Sequence, residues 1–314
     1  MRVVFFGTPD FAVPSLKAIA LNGHQIVGVV TRPDKPRGRG QKDKAAPPIV
    51  AAAREMKLKL FQPGHPKDDS LFQGLKEVKP EAIAVAAYGN LIPDRILDLA
   101  PRGTWNVHPS LLPRWRGPAP IHRTIWAGDE DTGVSIMRVT SRLDSGGIAR
   151  QERIPLGLRE TRGEVEHTLA QIGAEMLVRT LSDLATGEVR ITEQDESMVT
   201  YAPVFTDEER RIRFDDLTSS EAFRLVRALE PSPGTYFLFR GERVKVLATH
   251  PCPHSNPALP GTLLERIPQG AWRIACREGS IWIESVQPEG KLLMSMDAFL
   301  AGRRLHLGDS LSKE

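Results

Sequence analysis

The stretch AIAVAAY (Ala82–Tyr88) contains no charged side chain and no glycine or proline. An apolar run of this length is too short to span a membrane and is typical of a strand buried on both faces of a parallel sheet. Such a strand needs neighbouring strands at its edges and helices on both of its faces. The stretch therefore predicts an α/β architecture, and the flanking sequence has to supply the other elements.

The flanking segments alternate between short apolar runs and longer amphipathic ones. They predict strands at residues 3–6, 26–30, 58–61 and 104–107, and helices at residues 9–21, 47–57, 69–78 and 93–99. Strands that alternate with helices imply right-handed crossovers and a Rossmann-like, mostly parallel open sheet. Two further strands at residues 134–139 and 148–154, and a long helix at residues 164–184, complete this part of the chain.

The sequence changes character after Gly187. A chain of 314 residues is typical of two domains, so we expect a first domain at residues 1–187, a polar linker at 188–206 and a second domain at 207–314. Five short alternating runs, separated by turn residues, predict strands at 235–239, 244–249, 261–265, 272–276 and 280–286, with a helix near 219–229. This pattern indicates a small β-barrel of the OB-like kind.

Several kinds of site are disfavoured by the sequence. The first strand runs into GTPDFA, where Pro9 stands at the second glycine of a dinucleotide fingerprint and offers no N–H to a phosphate. We therefore expect no NAD, and the Walker A pattern is absent as well. The two cysteines, Cys252 and Cys276, form no CxxC pair, and the histidines show no metal-ligand spacing, so we expect no metal.

The N-terminal segment MRVVFFGTPDF has too short an apolar run for a signal peptide, and no run of about 18 apolar residues occurs in the sequence. We therefore expect a cytoplasmic protein. The formal net charge is only +3. This mildly basic balance permits a polyanionic partner without requiring one.

The stretch NVHPSLLPRWRG begins at the end of the predicted strand 104–107. In an extended segment the side chains of Asn106 and His108 point to the same side. Ligands of open α/β sheets bind beyond the carboxyl ends of strands, which is where this pair lies. An amide donor and an imidazole together suit acyl transfer, and Asp144 in the turn LDSGG is the best candidate to orient the histidine. The alternative is a structural turn capped by Pro109.

NVHPSLLPRWRG together with LDSGG resembles the signature of the 10-formyltetrahydrofolate-dependent formyltransferases. The further stretches FGTPDFA, TRPDKPRGRG, AAYGNLIP and RWRGPAPIHRTIWAGDEDTGVSIM resemble the members of that family that act on methionyl-tRNA. The resemblance covers nearly the whole chain and is weaker after Thr200. One departure is the turn itself, which reads LDTGD or a close variant in the family, whereas this chain has Ser145 and Gly147.

The resemblance implies a catalytic trio of Asn106, His108 and Asp144. Asn106 would stabilise the oxyanion, His108 would be a second donor, and Asp144 would hold His108 and relay protons to N10 of the folate. The resemblance also implies a set of folate-contacting residues in two loops, namely Ser110, Leu111, Leu112, Pro113, Tyr88, Gly89 and Leu91. For the prolines, simple loop rigidity is an alternative that is compatible with this role.

The segment 31–44 is rich in lysine, arginine and glycine. A charge run of this kind is most often a solvated loop. The resemblance implies instead a loop that enters the acceptor stem of a tRNA, with Arg39 as the key contact and with Arg37, Lys42 and Lys44 beside it. The C-terminal domain would contact the outer side of the tRNA, although a purely structural barrel is a second interpretation.

The implied activity is formyl transfer from 10-formyltetrahydrofolate to the methionine α-amine of initiator methionyl-tRNA, by a monomer, in translation initiation. One alternative is a formyltransferase that acts on a small amine such as an amino sugar. Another is a nucleic-acid-binding module without chemistry, which the trio disfavours because binding alone does not need it.

Overall fold

The structure, a computed structural model, describes residues 1–37, 43–254 and 256–312. It divides into two compact units, each described by itself. The first unit comprises residues 1–120, 131–155 and 165–202, and the second comprises residues 121–130, 156–164 and 203–314. The predicted limits of the domains and of the linker remain predictions.

The first unit is built on a seven-stranded sheet with the strand order β5-β2-β1-β6-β7-β8-β9. The strands up to β9 are β1 (Arg2–Gly7), β2 (Gln25–Val30), β3 (Lys35–Arg37), β4 (Asp43–Ala45), β5 (Leu60–Phe61), β6 (Ala82–Ala86), β7 (Thr104–His108), β8 (Asp131–Arg138) and β9 (Ile148–Pro155). Neighbours from β5 to β7 pair in parallel, whereas β8 and β9 pair antiparallel. β3 and β4 form a separate hairpin.

The helices, in chain order, are α1 (Ala12–Leu21), α2 (Pro48–Glu55), α3 (Asp69–Glu77), α4 (Asp94–Leu97), α5 (Pro120–Ala127), α6 (Arg162–Thr186), α7 (Ser219–Leu229) and α8 (Met296–Ala301). All five residues of β6 are buried between β1 and β7, as the apolar stretch predicts. Among the described residues, no helix has the length and apolar character needed to cross a membrane.

Two glycines allow close packing in the first unit. A Cβ on Gly7 would lie 2.6 Å from the Cβ of Ala12, so this glycine lets α1 begin directly beside β1. A Cβ on Gly173 would lie 2.4 Å from a methyl group of Val107, so α6 packs tightly onto β7. Because side chains alternate along a strand, Val107 facing α6 leaves Asn106 and His108 on the opposite face of the sheet.

The second unit contains an antiparallel sheet with the order β10-β11-β14-β13-β12, and β15 pairs with β14. Its strands are β10 (Thr235–Phe239), β11 (Glu242–Cys252), β12 (Leu263–Arg266), β13 (Trp272–Ala275), β14 (Ser280–Pro288) and β15 (Met294–Ser295). Phe214, Phe237, Phe239 and Phe299 form an aromatic cluster in its core. Together, the mostly parallel sheet and the antiparallel sheet confirm the predicted fold class.

Candidate active site

The site starts from one face of β7. Thr104, Asn106 and His108 alternate with Trp105 and Val107, and they therefore share the face of the sheet opposite to α6. Thr104 and His108 are buried, and Asn106 is half-buried. Among the described residues, the Asn106 carboxamide has no hydrogen-bond partner, so its N–H groups are available to a bound molecule.

His108 is held between two groups. Its Nε2 lies 3.0 Å from the Trp115 carbonyl oxygen, and its Nδ1 lies 3.7 Å from Oδ2 of Asp144. A carbonyl oxygen only accepts hydrogen bonds, so Nε2 must carry a proton. It follows that Nδ1 is the nitrogen at which the protonation state can change, and that a proton there faces a carboxylate.

Asp144 is held by the loop that begins at His108. Its Oδ2 accepts a hydrogen bond of 2.8 Å from the backbone N–H of Gly117. Its side chain is 15% exposed, so the carboxylate is shielded without being closed off from water. The structure thus brings the predicted Asp144 to the predicted His108, and their catalytic roles remain predictions.

Gln194 supports the turn that carries Asp144. Its Nε2 donates to the carbonyl oxygens of Asp144 and Gly146 at 2.9 and 2.7 Å. Its Oε1 accepts a hydrogen bond of 3.0 Å from Nε of the buried Arg116. Sequence reasoning did not identify Gln194, because nothing in the local pattern of a polar segment indicates which carbonyl groups it will meet.

The loop 109–113 is anchored from below by β8 and β9. The buried Ser135 hydroxyl donates to the Ser110 carbonyl at 2.7 Å and accepts from the Leu112 N–H at 3.2 Å. Gln151 donates to the Leu112 carbonyl and to Ser135, both at 2.9 Å. The Ser110 hydroxyl is bonded to the Arg114 carbonyl, and the Leu112–Pro113 peptide is cis.

Of the predicted folate residues in this loop, Ser110 and Leu112 are buried, whereas Leu111 and Pro113 are partly exposed. The backbone groups of the buried pair are bonded within the protein, whereas the side chains of Leu111 and Pro113 are partly accessible. The role of these four residues in folate binding remains a prediction. Ser135 and Gln151, which hold the loop, were not predicted. Ser135 could have been found from its register, because it pairs directly with His108.

The second predicted folate loop contains residues with different environments. Tyr88 is buried in the core, with its ring edge-on to Phe6 at a centroid distance of 5.1 Å. Gly89 has a φ of +75°, and its carbonyl accepts a hydrogen bond from Arg32. Leu91 is 75% exposed. Their role in folate binding remains a prediction, and for Tyr88 the ring is already occupied by core packing.

A cavity of about 690 Å³ lies beside the turn 143–147 in the first unit. Its lining includes Thr104, Val139, Ser145, Arg138 and Glu193. Thr104 shares the face of β7 with Asn106, and its buried Oγ1 has no partner among the described residues. The lining residues Thr104 and Ser145 are thus sequence neighbours of the trio, and Thr104 brings a hydroxyl group without a partner. None of the seven predicted folate residues lines it.

The departure in the turn has a steric counterpart. A Cβ on Gly147 would lie 2.2 Å from Cγ2 of Ile191 and 3.0 Å from Oε1 of Glu193. The space that a side chain at position 147 requires is therefore filled by Ile191. The glycine and the isoleucine therefore form a sterically matched pair.

Of the basic segment, Arg39 and Lys42 lie outside the described residues. Arg37 is in β3 and Lys44 is in β4, which pair antiparallel with Arg37 opposite Asp43 and Pro36 opposite Lys44. Arg32 bonds to the carbonyl of Gly89. The backbone on either side of residues 38–42 is thus a hairpin, and the tRNA contacts predicted for this segment remain predictions.

Two groups of titratable side chains lie outside the trio. Burial and the nearby Arg162 and Arg123 lower the pKa of His122 to about 4. Hydrogen bonding, first from His254, lowers the pKa of Cys252, whereas burial raises the pKa of Cys276 to about 12. Within residues 1–37, 43–254 and 256–312, no three His, Cys, Asp or Glu side chains are placed to hold a metal ion.

Comparison with known proteins places the chain in a clear context. Residues 1–181 match the model described as formyl transferase, and residues 205–304 match the formyl transferase C-terminal domain. The methionyl-tRNA formyltransferase of Moorella thermoacetica is 40% identical over 311 residues, covering 99% of this chain and 99% of that protein.

Two solved structures share the fold. HypX from Aquifex aeolicus, in complex with tetrahydrofolic acid, has a TM-score of 0.65 and 17% identity. The match covers 100% of this chain and 51% of HypX, so this chain spans about half the length of that protein. The N-formyltransferase of Helicobacter canadensis, in complex with folinic acid and dTDP-3-aminofucose, has a TM-score of 0.65 and 15% identity, with 90% and 98% covered.

Proposed function

The chain belongs to the formyl transferase family, and we propose that it transfers a formyl group from 10-formyltetrahydrofolate to the α-amino group of methionine on initiator methionyl-tRNA. The observation that carries this proposal is the convergence of Asn106, His108 and Asp144 on one face of the sheet. Curated relatives that match the chain over almost its full length are methionyl-tRNA formyltransferases.

Asn106, His108 and Asp144 have different roles in acyl transfer. Attack of the amine on the formyl carbon places negative charge on the formyl oxygen, and the unpartnered Asn106 N–H₂ supplies a hydrogen bond to that oxygen. Preorganised donors of this kind contribute roughly 10²–10³ in turnover each. An imidazolium at His108 adds positive charge to the same face without having to reorient.

Proton movement is assigned to the Nδ1 side of His108. Because Nε2 is committed to the Trp115 carbonyl, proton exchange has to involve Nδ1, Asp144 and the reacting nitrogens. The 3.7 Å between Nδ1 and Oδ2 is longer than a direct hydrogen bond, and the carboxylate is reachable by water. Asp144 therefore takes the proton that the amine loses and returns it, through water, to N10 as that nitrogen leaves.

The cavity beside the turn 143–147 is the folate site that we propose. A pterin ring carries donors and acceptors on its edges, and the partnerless Oγ1 of Thr104 can bond to such an edge. Thr104 lies two residues before Asn106 on the same face of β7, at a spacing of roughly 7 Å. The formyl donor, bound there, would present its reactive group to Asn106. The loop 109–113 follows directly after β7, on the other side of Asn106 in the sequence.

Removing the Thr104 hydroxyl tests the folate site. We expect Thr104→Val to weaken tetrahydrofolate binding by roughly fivefold, the value of one neutral hydrogen bond. Isothermal titration calorimetry of the wild type and the variant measures this change. Unchanged affinity would place the folate elsewhere.

For the acceptor, we propose that the basic segment 31–44 contacts tRNA phosphates. The hairpin of β3 and β4 carries Arg37 and Lys44, and Arg39 and Lys42 lie between these two strands in the sequence. Contacts to phosphates release counterions, so the affinity should fall as salt rises. Arg39→Ala should raise the KM for tRNA and reduce its salt dependence, and an unchanged KM and kcat would contradict this role.

An amino-sugar acceptor is the second candidate, because the Helicobacter canadensis structure with the same fold contains dTDP-3-aminofucose. A parallel assay decides between the two. The full chain and 10-formyltetrahydrofolate are incubated with initiator methionyl-tRNA or with a dTDP-linked amino sugar. We expect formylation of the tRNA alone, and preferential formylation of the sugar would overturn the proposal. As part of the same proposal, the enzyme is a monomer and acts in the cytoplasm.

A further inference from the structure

Asp144, the predicted proton relay, has an unfavourable backbone conformation. Asp144 has a φ of +45°, in the left-handed region. For a residue with a Cβ this conformation costs about 1–2 kcal/mol, and it persists only when the surroundings hold it. The position of the Asp144 carboxylate therefore depends on groups outside its own turn.

Gln194 supplies the first of these groups. One amide nitrogen donates to two carbonyl oxygens of the turn, those of Asp144 and Gly146. Gly146 itself packs against the backbone of Arg138. It can do so only because it lacks a side chain, since a Cβ there would lie 1.8 Å from the Arg138 carbonyl oxygen. Gln194 thus joins the two ends of the strained residue's turn through a single side chain.

Arg116 decides which way the Gln194 amide points. An arginine side chain donates hydrogen bonds and never accepts them, so the oxygen of Gln194 must face Nε of Arg116. Both N–H bonds of Gln194 then face the turn. Arg116 is 1% exposed, and its outer nitrogens bond to the Glu196 carboxylate at 2.9 and 3.3 Å.

The backbone around Arg116 supplies the second support. Its N–H donates to the Thr200 carbonyl at 2.9 Å, and its carbonyl accepts from Ala202 at 2.7 Å. The next residue, Gly117, donates directly to Oδ2 of Asp144. One buried arginine therefore connects to Asp144 by two routes, through Gln194 to the turn and through Gly117 to the carboxylate.

We propose that Arg116 and Gln194 are positioning residues for formyl transfer, which keep the Asp144 carboxylate directed at Nδ1 of His108. This inference rests on the proposed function, because Asp144 matters only if proton transfer occurs there. Neither residue has to touch a substrate. Through Arg116 and Gln194, the segment 194–202 and the stretch NVHPSLLPRWRG together hold the turn that contains Asp144.

The closing experiment is a double-mutant cycle with Gln194→Met, which keeps the side-chain length and removes the hydrogen bonds. Steady-state kinetics with 10-formyltetrahydrofolate and initiator methionyl-tRNA should show kcat lowered about tenfold or more, since a misplacement near 1 Å can cost about 10²-fold. The KM for tRNA should change less than about twofold. In an Asp144→Asn background, Gln194→Met should cost less than about twofold, because coupled residues are not additive.

A control variant and a pair of crystal structures test the interpretation of these kinetics. Gln171→Met, on the exposed side of α6, should leave kcat unchanged. Crystal structures of the wild type and Gln194→Met should show the Asp144 carboxylate displaced from Gly117 and His108, with Gln194→Ala as a substitute if the methionine variant does not fold. An unmoved Asp144, or an equal cost in both backgrounds, would overturn the inference. A wild type that does not formylate methionyl-tRNA would overturn the proposed function, while the crystal structures would still decide the positioning role.

Discussion

Nδ1 of His108 and Oδ2 of Asp144 lie 3.7 Å apart, with both side chains largely shielded from solvent. The distance is short enough for strong electrostatic attraction and too long for a direct hydrogen bond. The separation leaves room for a water molecule or a reacting group beside the pair. Because of this geometry, we expect formyl transfer to be sensitive to small displacements of either side chain.

Replacing Asp144 by Asn removes the charge and keeps the shape. We expect Asp144→Asn to lower kcat by roughly 10²–10³, because neither charge stabilisation nor proton transfer remains. The rate of formyl transfer to methionyl-tRNA, determined from samples quenched at successive times, measures this loss. As a matched control, Asp69→Asn removes an exposed aspartate that pairs with Arg95 at the surface, and it should leave kcat unchanged. A fully active Asp144→Asn enzyme would exclude Asp144 from the trio.

Ser135→Ala tests the support of the loop 109–113. The buried hydroxyl bonds to Ser110 and Leu112, so its loss leaves a buried carbonyl and a buried N–H without that partner. We expect the KM for 10-formyltetrahydrofolate to rise several-fold. We also expect the free energy of unfolding to fall by about 1–3 kcal/mol. Kinetics and urea unfolding measure the two effects. A destabilised variant with an unchanged KM would mean that this loop does not contact the folate.

The pair of Gly147 and Ile191 predicts a compensated substitution. Gly147→Asp should destabilise the protein by about 1–3 kcal/mol, because the new Cβ overlaps the Ile191 methyl group and the new carboxylate approaches Glu193. Adding Ile191→Ala should recover part of this loss by opening the space. Thermal unfolding of the wild type, both single variants and the double variant gives the coupling. Strictly additive effects would show that the two positions do not compete for space.

The second unit should lose stability in mild acid through His122. Its pKa is lowered from 6.5 to about 4 in the folded protein, so between these values the unfolded chain binds more protons. Stability is therefore complete above pH 6.5 and falls as the pH drops towards 4, by roughly 2–3 kcal/mol at most. Urea unfolding at pH 7.5, 6 and 5 measures the decline. In His122→Gln this part of the decline should disappear, and an equally steep decline in that variant would contradict the assignment.

The two cysteines should differ in reactivity. The lowered pKa of Cys252 raises its thiolate fraction, whereas Cys276 is buried with its pKa raised to about 12. Since the thiolate is the nucleophile, iodoacetamide should label Cys252 first in the native protein. Peptide mass spectrometry measures the order, and Cys252→Ser should abolish the rapid phase. Prior labelling of Cys276 would contradict the burial that the structure assigns to it.

Elements with strong local patterns agree closely between sequence and structure. The helix predicted near residues 219–229 is α7, Ser219–Leu229, and its start is set by a capping box between Thr218 and Glu221. The strand predicted at 235–239 is β10. Helix α5 was missed, because it begins at Pro120, the last residue of the turn-like run GPAP. Helix α1 begins at Ala12 and not at Pro9, and β5 has two residues in place of the predicted four.

The sequence by itself determined that Asn106 and His108 share a face, because the alternation of side chains is a property of the extended chain. It also indicated a buried central strand at residues 82–88, of which Ala82–Ala86 form β6, and it lacks a dinucleotide fingerprint. Only the tertiary structure decided that Gln194 holds the Asp144 turn, that Ser135 holds the loop 109–113, and that Ile191 fills the space beside Gly147. These contacts join segments far apart in the chain, and they depend on how the elements pack, which no local periodicity encodes.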